Sequence, residues 1–267
     1  MMCYVSVYLC LKIQLMNKKI YILIFLLFYL KGAFAQLNAN DTVISAFLPV
    51  VTYAFQIPGG DVALQYGNNS TIGGALKFKT NKNWLWSVEA NFIFGSNIKN
   101  ADSILSMVET HDHFIIDGNG TYALYSLYER GYNLTFGVGK ILNLLSANPN
   151  SGVMISGGVG LLMHRMKIDN QHKTAPQIND DYGKGYDRLT GGLSLNEFVG
   201  YYYMGNTKLV NFYAGFEFIQ GFTKSRRDWI FDQMRRDDSN HFDWFVGFKV
   251  GWFIPIYNRA PDKYYYY

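Results

Sequence analysis

The run WFVGFKVGWFIPI, from Trp244 to Ile256, alternates with a period of two. Trp244, Val246, Phe248, Val250, Trp252, Ile254 and Ile256 fall on one face; Phe245, Gly247, Lys249, Gly251, Phe253 and Pro255 fall on the other. Side chains that alternate this way belong to a β-strand. The two faces have different neighbours: one is built of large apolar groups, the other admits glycine and a lysine. Lipid on the first side and a crowded polar interior on the second is the arrangement of a transmembrane barrel strand.

The pattern recurs upstream. Val51, Tyr53, Phe55 and Ile57 oppose Thr52, Ala54 and Gln56, and Ile72, Gly74, Leu76 and Phe78 oppose Gly73, Ala75 and Lys77. Trp84 to Phe94, Tyr132 to Val138, Val153 to Met163 and Val210 to Phe218 repeat it, while Leu193–Met204 is strand-like with two equally mixed faces. The connections read as 58–71, 79–83, 95–131, 140–152, 164–192, 205–208 and 220–242, alternating long with short. Outer-membrane barrels alternate long external loops with short periplasmic turns, and a closed ring leaves no strand edge in lipid. The expectation is an all-β, transmembrane, antiparallel up-and-down barrel of about eight strands with long external loops, occupying residues 36–257.

Composition agrees. Aromatic residues are 17% of the chain and charged residues only 16%, against about 25% charged in soluble domains. No segment after residue 35 is apolar for the roughly 20 residues a membrane helix needs.

Residues 1–35 read as a leader and cleavable signal peptide. The apolar run Ile20–Leu30 follows Asn17-Lys18-Lys19 and ends at Gly32-Ala33-Phe34-Ala35, so cleavage is expected after Ala35. Met16 begins a complete signal by itself and is the expected true start. The two cysteines, Cys3 and Cys10, both precede it, so residues 36–267 offer no disulfide or thiolate chemistry. The net charge of +4 resides in Lys12, Lys18, Lys19 and Lys31; the rest is balanced. Nucleic-acid binding, which wants a clustered basic face, is not expected. Residues 258–267 form a short Tyr-rich tail, expected in the periplasm.

These strands and connections make residues 45–257 resemble the small eight-stranded outer-membrane barrels, the broad group with OmpA-like and OmpX-like architecture. The resemblance rests on architecture, and it implies export to the outer membrane and contact with its lipid and lipopolysaccharide. In that group the final aromatic strand is a recognition signal for barrel assembly, which Gly247–Tyr257 matches apart from the tail behind it. Some members modify lipid A with a His–Ser pair on the lipid-facing surface. No Ser stands beside a His at an outward strand position here, and His164 has inward parity.

Four charges, Lys77, Glu89, Glu217 and Lys249, have inward parity. Isolated charges in a low-dielectric interior are costly, so they are expected to pair. Eight strands enclose just enough room for side chains, which argues for a filled lumen over a pore. Gly137-Val138-Gly139-Lys140 lacks the Ser or Thr of a phosphate loop and opens no helix, so no nucleotide or other cofactor is expected. His111-Asp112-His113 is at most half a metal site.

Two loops carry mixed charge interleaved with aromatic residues and arginine, the composition of binding surfaces. Asp181, Tyr182, Lys184, Tyr186 and Arg188 in one, and Arg226, Arg227 and Trp229 in the other, are the candidate partner-binding residues; loops bridging each other over the barrel mouth is the equal alternative. The functional expectation is a non-enzymatic structural or accessory subunit of an envelope complex for secretion or barrel assembly, with other envelope proteins as partners. The competing class is a surface enzyme acting on lipid or peptide.

Overall fold

The computed structural model describes residues 43–99, 101–205 and 209–257. The leader, Met16, the cleavage point after Ala35 and the Tyr-rich tail lie outside them. The strands are β1 (Ala46–Gly60), β2 (Asn69–Lys79), β3 (Trp84–Gly95), β4 (Tyr125–Leu142), β5 (Gly152–Asn170), β6 (Thr190–Met204), β7 (Asn211–Ser225), β8 (Asn240–Phe253) and the short β9 (Ile256–Tyr257). Three helical turns, α1 (Val62–Gln65), α2 (Ala101–Leu105) and α3 (Asp180–Gly183), sit in the long connections.

Each of the eight main strands pairs antiparallel with its chain neighbours, and β1 closes the ring on β8. Following the register from Val50 through Ala75, Glu89, Thr135, Gly160, Ser194, Gly221 and Asp243 returns to β1 at Gly60. The path therefore climbs ten residues in one circuit, a stagger that obliges the strands to tilt, typically by about 35–45°.

Strands run further than the apolar alternation does. β4 and β5 span 18 and 19 residues, where a tilted strand needs about 9–11 to cross a bilayer. The strand with mixed faces, β6, is paired with β7 along its whole length and with β5 from Thr190 to Tyr202. Its inward Phe198, Tyr202 and Met204 are buried, and its outward Leu193, Leu195 and Val199 are exposed.

The outer wall is an apolar belt. Tyr53, Phe55, Leu76, Trp86, Phe136, Leu161, Phe216, Phe248 and Trp252 are all exposed there. A contiguous surface of this kind around a whole molecule has lipid as its solvent. The chain is a transmembrane barrel.

The interior is filled in three layers. An apolar floor near the short turns holds Leu48, Leu85, Met154, Tyr202, Tyr213 and Phe253. An apolar roof holds Ile93, Leu162, Met166 and Phe245 from the strands' far ends, with Tyr66, Ile104, Ile115 and Ile178 from the long connections. Between them lies the expected charge cluster. Lys249 Nζ bonds Glu89 and stands 2.9 Å from Glu217 Oε2. Gln56 donates to Glu217 at 2.7 Å, Asn91 to Glu89 at 2.7 Å, and Lys77 Nζ stands 4.1 Å over the Tyr213 ring. About 40 Å3 of free space remains here, room for a few waters. The layers need close strand approach in places: a Cβ on Gly215 would stand 2.3 Å from Gly200 Cα on the adjacent strand.

Candidate functional site

Long connections gather at one end of the barrel, and the two predicted binding loops meet there. Arg227 grips Asp187 through Nε at 2.7 Å and a second bond from its other guanidinium nitrogen. The Asp187 carboxylate holds the Arg227 guanidinium above its usual pKa. Arg188 pairs with Asp232, both largely buried, with the Arg188 backbone at φ 44°. Tyr186 is buried and meets Phe231 edge-on at 5.3 Å, and burial pushes its hydroxyl pKa up. Three of the eight predicted residues thus tie one loop to the other.

The remainder face outward. Asp181 and Lys184 bond each other at 2.6 Å on the surface, which holds the Asp181 carboxyl below its ordinary pKa. Tyr182, Arg226 and Trp229 are exposed. Of these, Arg226 lines a cleft.

That cleft belongs to a feature the sequence reading passed over. Just beyond the apolar belt, at the long-loop end, basic side chains overhang apolar floors on the outer wall. One cleft of about 410 Å3 has Phe92, Tyr132, Met163 and Leu189 beneath Arg130, Arg165 and Lys167. A second, of about 600 Å3, has Leu193, Phe222 and Phe242 beneath Lys224 and Arg226, with Asp61 and His241 beside them. Arg165 is half-exposed and only 3.7 Å from Asp187; Arg130 donates to the Glu129 carbonyl at 2.7 Å. Parity carries the signal: Arg130, Arg165, Lys167 and Lys224 continue the outward positions of β4, β5 and β7 past the last apolar residue.

Two histidine clusters add to this, one of them around His164, whose inward parity the alternation had given. Inside the mouth, His164 Nε2 meets Asp243 at 3.1 Å and Thr190 at 3.0 Å, and Thr223 donates to the same Asp243 oxygen at 2.5 Å. The group is buried under Tyr66. At the second cleft, Ser239 precedes β8 as a loop residue, so strand parity did not place it beside a His. Its Oγ lies 3.3 Å from His241 Nε2, which also meets Asp237 at 2.9 Å; Nδ1 of His241 is 3.9 Å from Asp61. Ser239 Oγ donates to Asp237. A nucleophile relay needs the serine proton aimed at the histidine and the acid on the opposite ring nitrogen. Here acid and serine crowd one nitrogen.

No family model and no curated protein sequence matches the chain. Among solved structures, it is similar to Ail, the attachment invasion locus protein of Yersinia pestis, in complex with the heparin analogue sucrose octasulfate. Identity is 10%, 79% of this chain and 99% of that one are covered, and the TM-score is 0.43. Neisserial surface protein A gives 12% identity, 79% and 97% coverage and a TM-score of 0.38. The N-terminal β-barrel domain of Pseudomonas aeruginosa OprF gives 11%, 79% and 99%, and 0.35. At these values the likenesses carry no argument about the site.

Proposed function

We propose that this protein is a non-enzymatic barrel of the outer membrane that serves as a structural or accessory subunit, seated in the outer leaflet by lipopolysaccharide. The observation that carries the reading is the basic rim. Arg130, Arg165, Lys167, Lys224 and Arg226 stand just beyond the apolar belt at the long-loop end, over clefts with apolar lining, which suits the head-group level of a leaflet. Guanidinium groups bind phosphate through paired hydrogen bonds and lysines bind it as point charges, and the floors suit the acyl chains below it. The filled lumen argues against a conduit. The surface of Tyr182, Arg226 and Trp229 remains the proposed contact for other envelope proteins, rigidly backed by the Asp187–Arg227 and Arg188–Asp232 pairs.

Native mass spectrometry of barrels extracted in mild detergent tests the reading. The wild type is expected to retain bound lipopolysaccharide, and the Arg165→Ala, Lys167→Ala, Lys224→Ala triple variant to lose most of it. Equal retention by both would overturn the proposal.

The competing reading, an enzyme acting on lipid, rests on the Ser239–His241 contact alone, whose acid and serine share one ring nitrogen. Expressing Ser239→Ala in cells and comparing their lipid A acyl composition with the wild type separates the two. No difference is expected; a difference would establish the enzyme.

A further inference from the structure

The geometry points to a docking face on the outer wall around Glu197, where a second membrane-embedded chain brings a lysine or arginine side chain to the middle of the bilayer. Glu197 is the fourth of the seven outward positions of β6, which run Gly191, Leu193, Leu195, Glu197, Val199, Tyr201 and Tyr203. Its register partners are Gly157 on β5 and Phe218 on β7. Leu195, Val159, Val199 and Ile155 stand exposed to lipid around it. Among the outward charges of the described strands, Glu197 alone has two apolar or aromatic residues beyond it in both directions. Arg130, Arg165, Lys167 and Lys224 lie at the long-loop rim, and Lys140 is near the opposite end of its strand. Glu197 makes no hydrogen bond or ion pair with any described residue. Ionisable side chains at this depth are rare, expensive and paired.

The wall beside it is hollow. A Cβ on Gly157 would meet nothing within 4 Å, so the outward row of β5 has a gap at the carboxylate's own level. Trp84, Val138, Lys140, Ile155, Gly157, Glu197 and Val199 line the resulting groove of about 470 Å3. That is room for a long side chain.

Three occupants compete, and the chemistry selects one. Lipid head groups sit at the ends of the belt, and acyl chains bring no cation to mid-depth. A second copy would bring no cation there either: Lys140, the groove's own base, has its Nζ 5.1 Å over the Trp84 ring on the short-turn side. A different chain crossing the membrane with one basic residue meets both requirements, because its side chain fills the Gly157 gap and its charge satisfies Glu197. Such a partner contacts the wall within the bilayer, away from the loops, so the inference goes beyond the rim and loop surface proposed above.

The probe is a synthetic Leu/Ala transmembrane helix with one central lysine, and the same helix with leucine there. Each is reconstituted with the full protein in phosphatidylcholine vesicles and followed by energy transfer. The lysine helix is expected to bind at least tenfold tighter than the leucine helix, and Glu197→Leu to erase the difference. Folding of the variant is read from its heat-modifiable gel migration. Equal binding of both helices, or a preference that survives Glu197→Leu, would overturn the inference. So would barrel–barrel association in the absence of peptide that Glu197→Leu abolishes, which would make a second copy the occupant. Binding that appears only after Lys140→Met would overturn it too, since Lys140 would then already serve Glu197.

Discussion

Lys249 on β8 and Glu217 on β7 stand 2.9 Å apart inside the barrel, both nearly closed to solvent. Glu89 completes the set from the opposite side of the lumen. Removing one partner of a buried set strands the others as uncompensated charge, which costs about 3–5 kcal/mol. Lys249→Met is therefore expected to lower stability by that amount in urea unfolding of the detergent-solubilised barrel. Adding Glu217→Gln alone should restore most of it, because Lys77 and Glu89 then remain as a balanced pair and only an unmatched charge is expensive.

Phe216 is outward, two-thirds exposed and midway along β7. Phe216→Arg should cost about 2–4 kcal/mol in lipid, the depth-dependent penalty for a cation on this face. Asn240→Arg, at the rim end of β8, should be nearly neutral. Equal tolerance of the two changes in a bilayer refolding titration would refute the lipid-facing assignment of the wall.

Arg226 and Arg227 are sequence neighbours with different employment. Arg227 is mostly covered and holds Asp187 across the two loops, whereas Arg226 is exposed over its cleft. Arg227→Ala is expected to cost about 1–2 kcal/mol, the order of a partly screened charged hydrogen bond. It should also speed hydrogen exchange across residues 185–189. Arg226→Ala should leave exchange unchanged, so a binding defect in it would report on the surface and not on folding.

Asp117 ties one long loop down. Backbone donation from Thr121 is the main cause holding its carboxyl below the ordinary 3.8; burial opposes it, and bonds from Thr174 and Asn119 assist. A carboxyl lowered by folding contributes stability above its unfolded pKa and loses it as pH falls through the folded value. Protection of the Thr121 amide is thus expected to hold from neutral pH down to about 4 and to fade below it. In Asp117→Asn the fading should be absent and protection uniformly weaker.

Residues 36–267 contain no cysteine, so single introduced thiols report topology cleanly. Ser103, His172, Ser239 and Asn81 are all exposed. Cysteines at the first three should react with an impermeant maleimide on intact cells, and one at Asn81 should not. His172 is preferable to its neighbour Lys173, whose φ of 53° disfavours a substituted side chain. Labelling at Asn81 alone would invert the barrel.

The alternation carried the fold because two solvents, lipid and a packed interior, impose opposite demands on successive residues. It failed where either solvent changes. On β4 the outward row leaves the belt at Arg130 and Tyr128 while Leu127 packs against the roof, so the strand looked like loop from Tyr125 to Gly131. On β6 the faces looked mixed because the floor takes Phe198 and Tyr202 inward while Glu197 faces out. Site legibility was lower. Arg188 and Asp232, or Arg227 and Asp187, meet across long stretches of chain with no period connecting them. Loop composition named several of these residues, and their three-dimensional contacts separate those holding the loops from those displayed to solvent. Ser239 beside His241 escaped for a similar reason, since a loop has no parity.

The closed ring carries a kinetic consequence. Seven of its seams join strands adjacent in the chain, so each can form as a hairpin. The eighth joins Val50 to Phe253, about 200 residues apart, and meets the full entropy of closing that loop. Until it does, β1 and β8 are raw edges with unpaired backbone groups that hydrocarbon does not tolerate. Insertion and closure must therefore happen as one event, and the slowest step of assembly is expected at the Val50–Gly60 and Asp243–Phe253 seam. The aromatic strand that first betrayed the fold is also the last piece to be zipped shut.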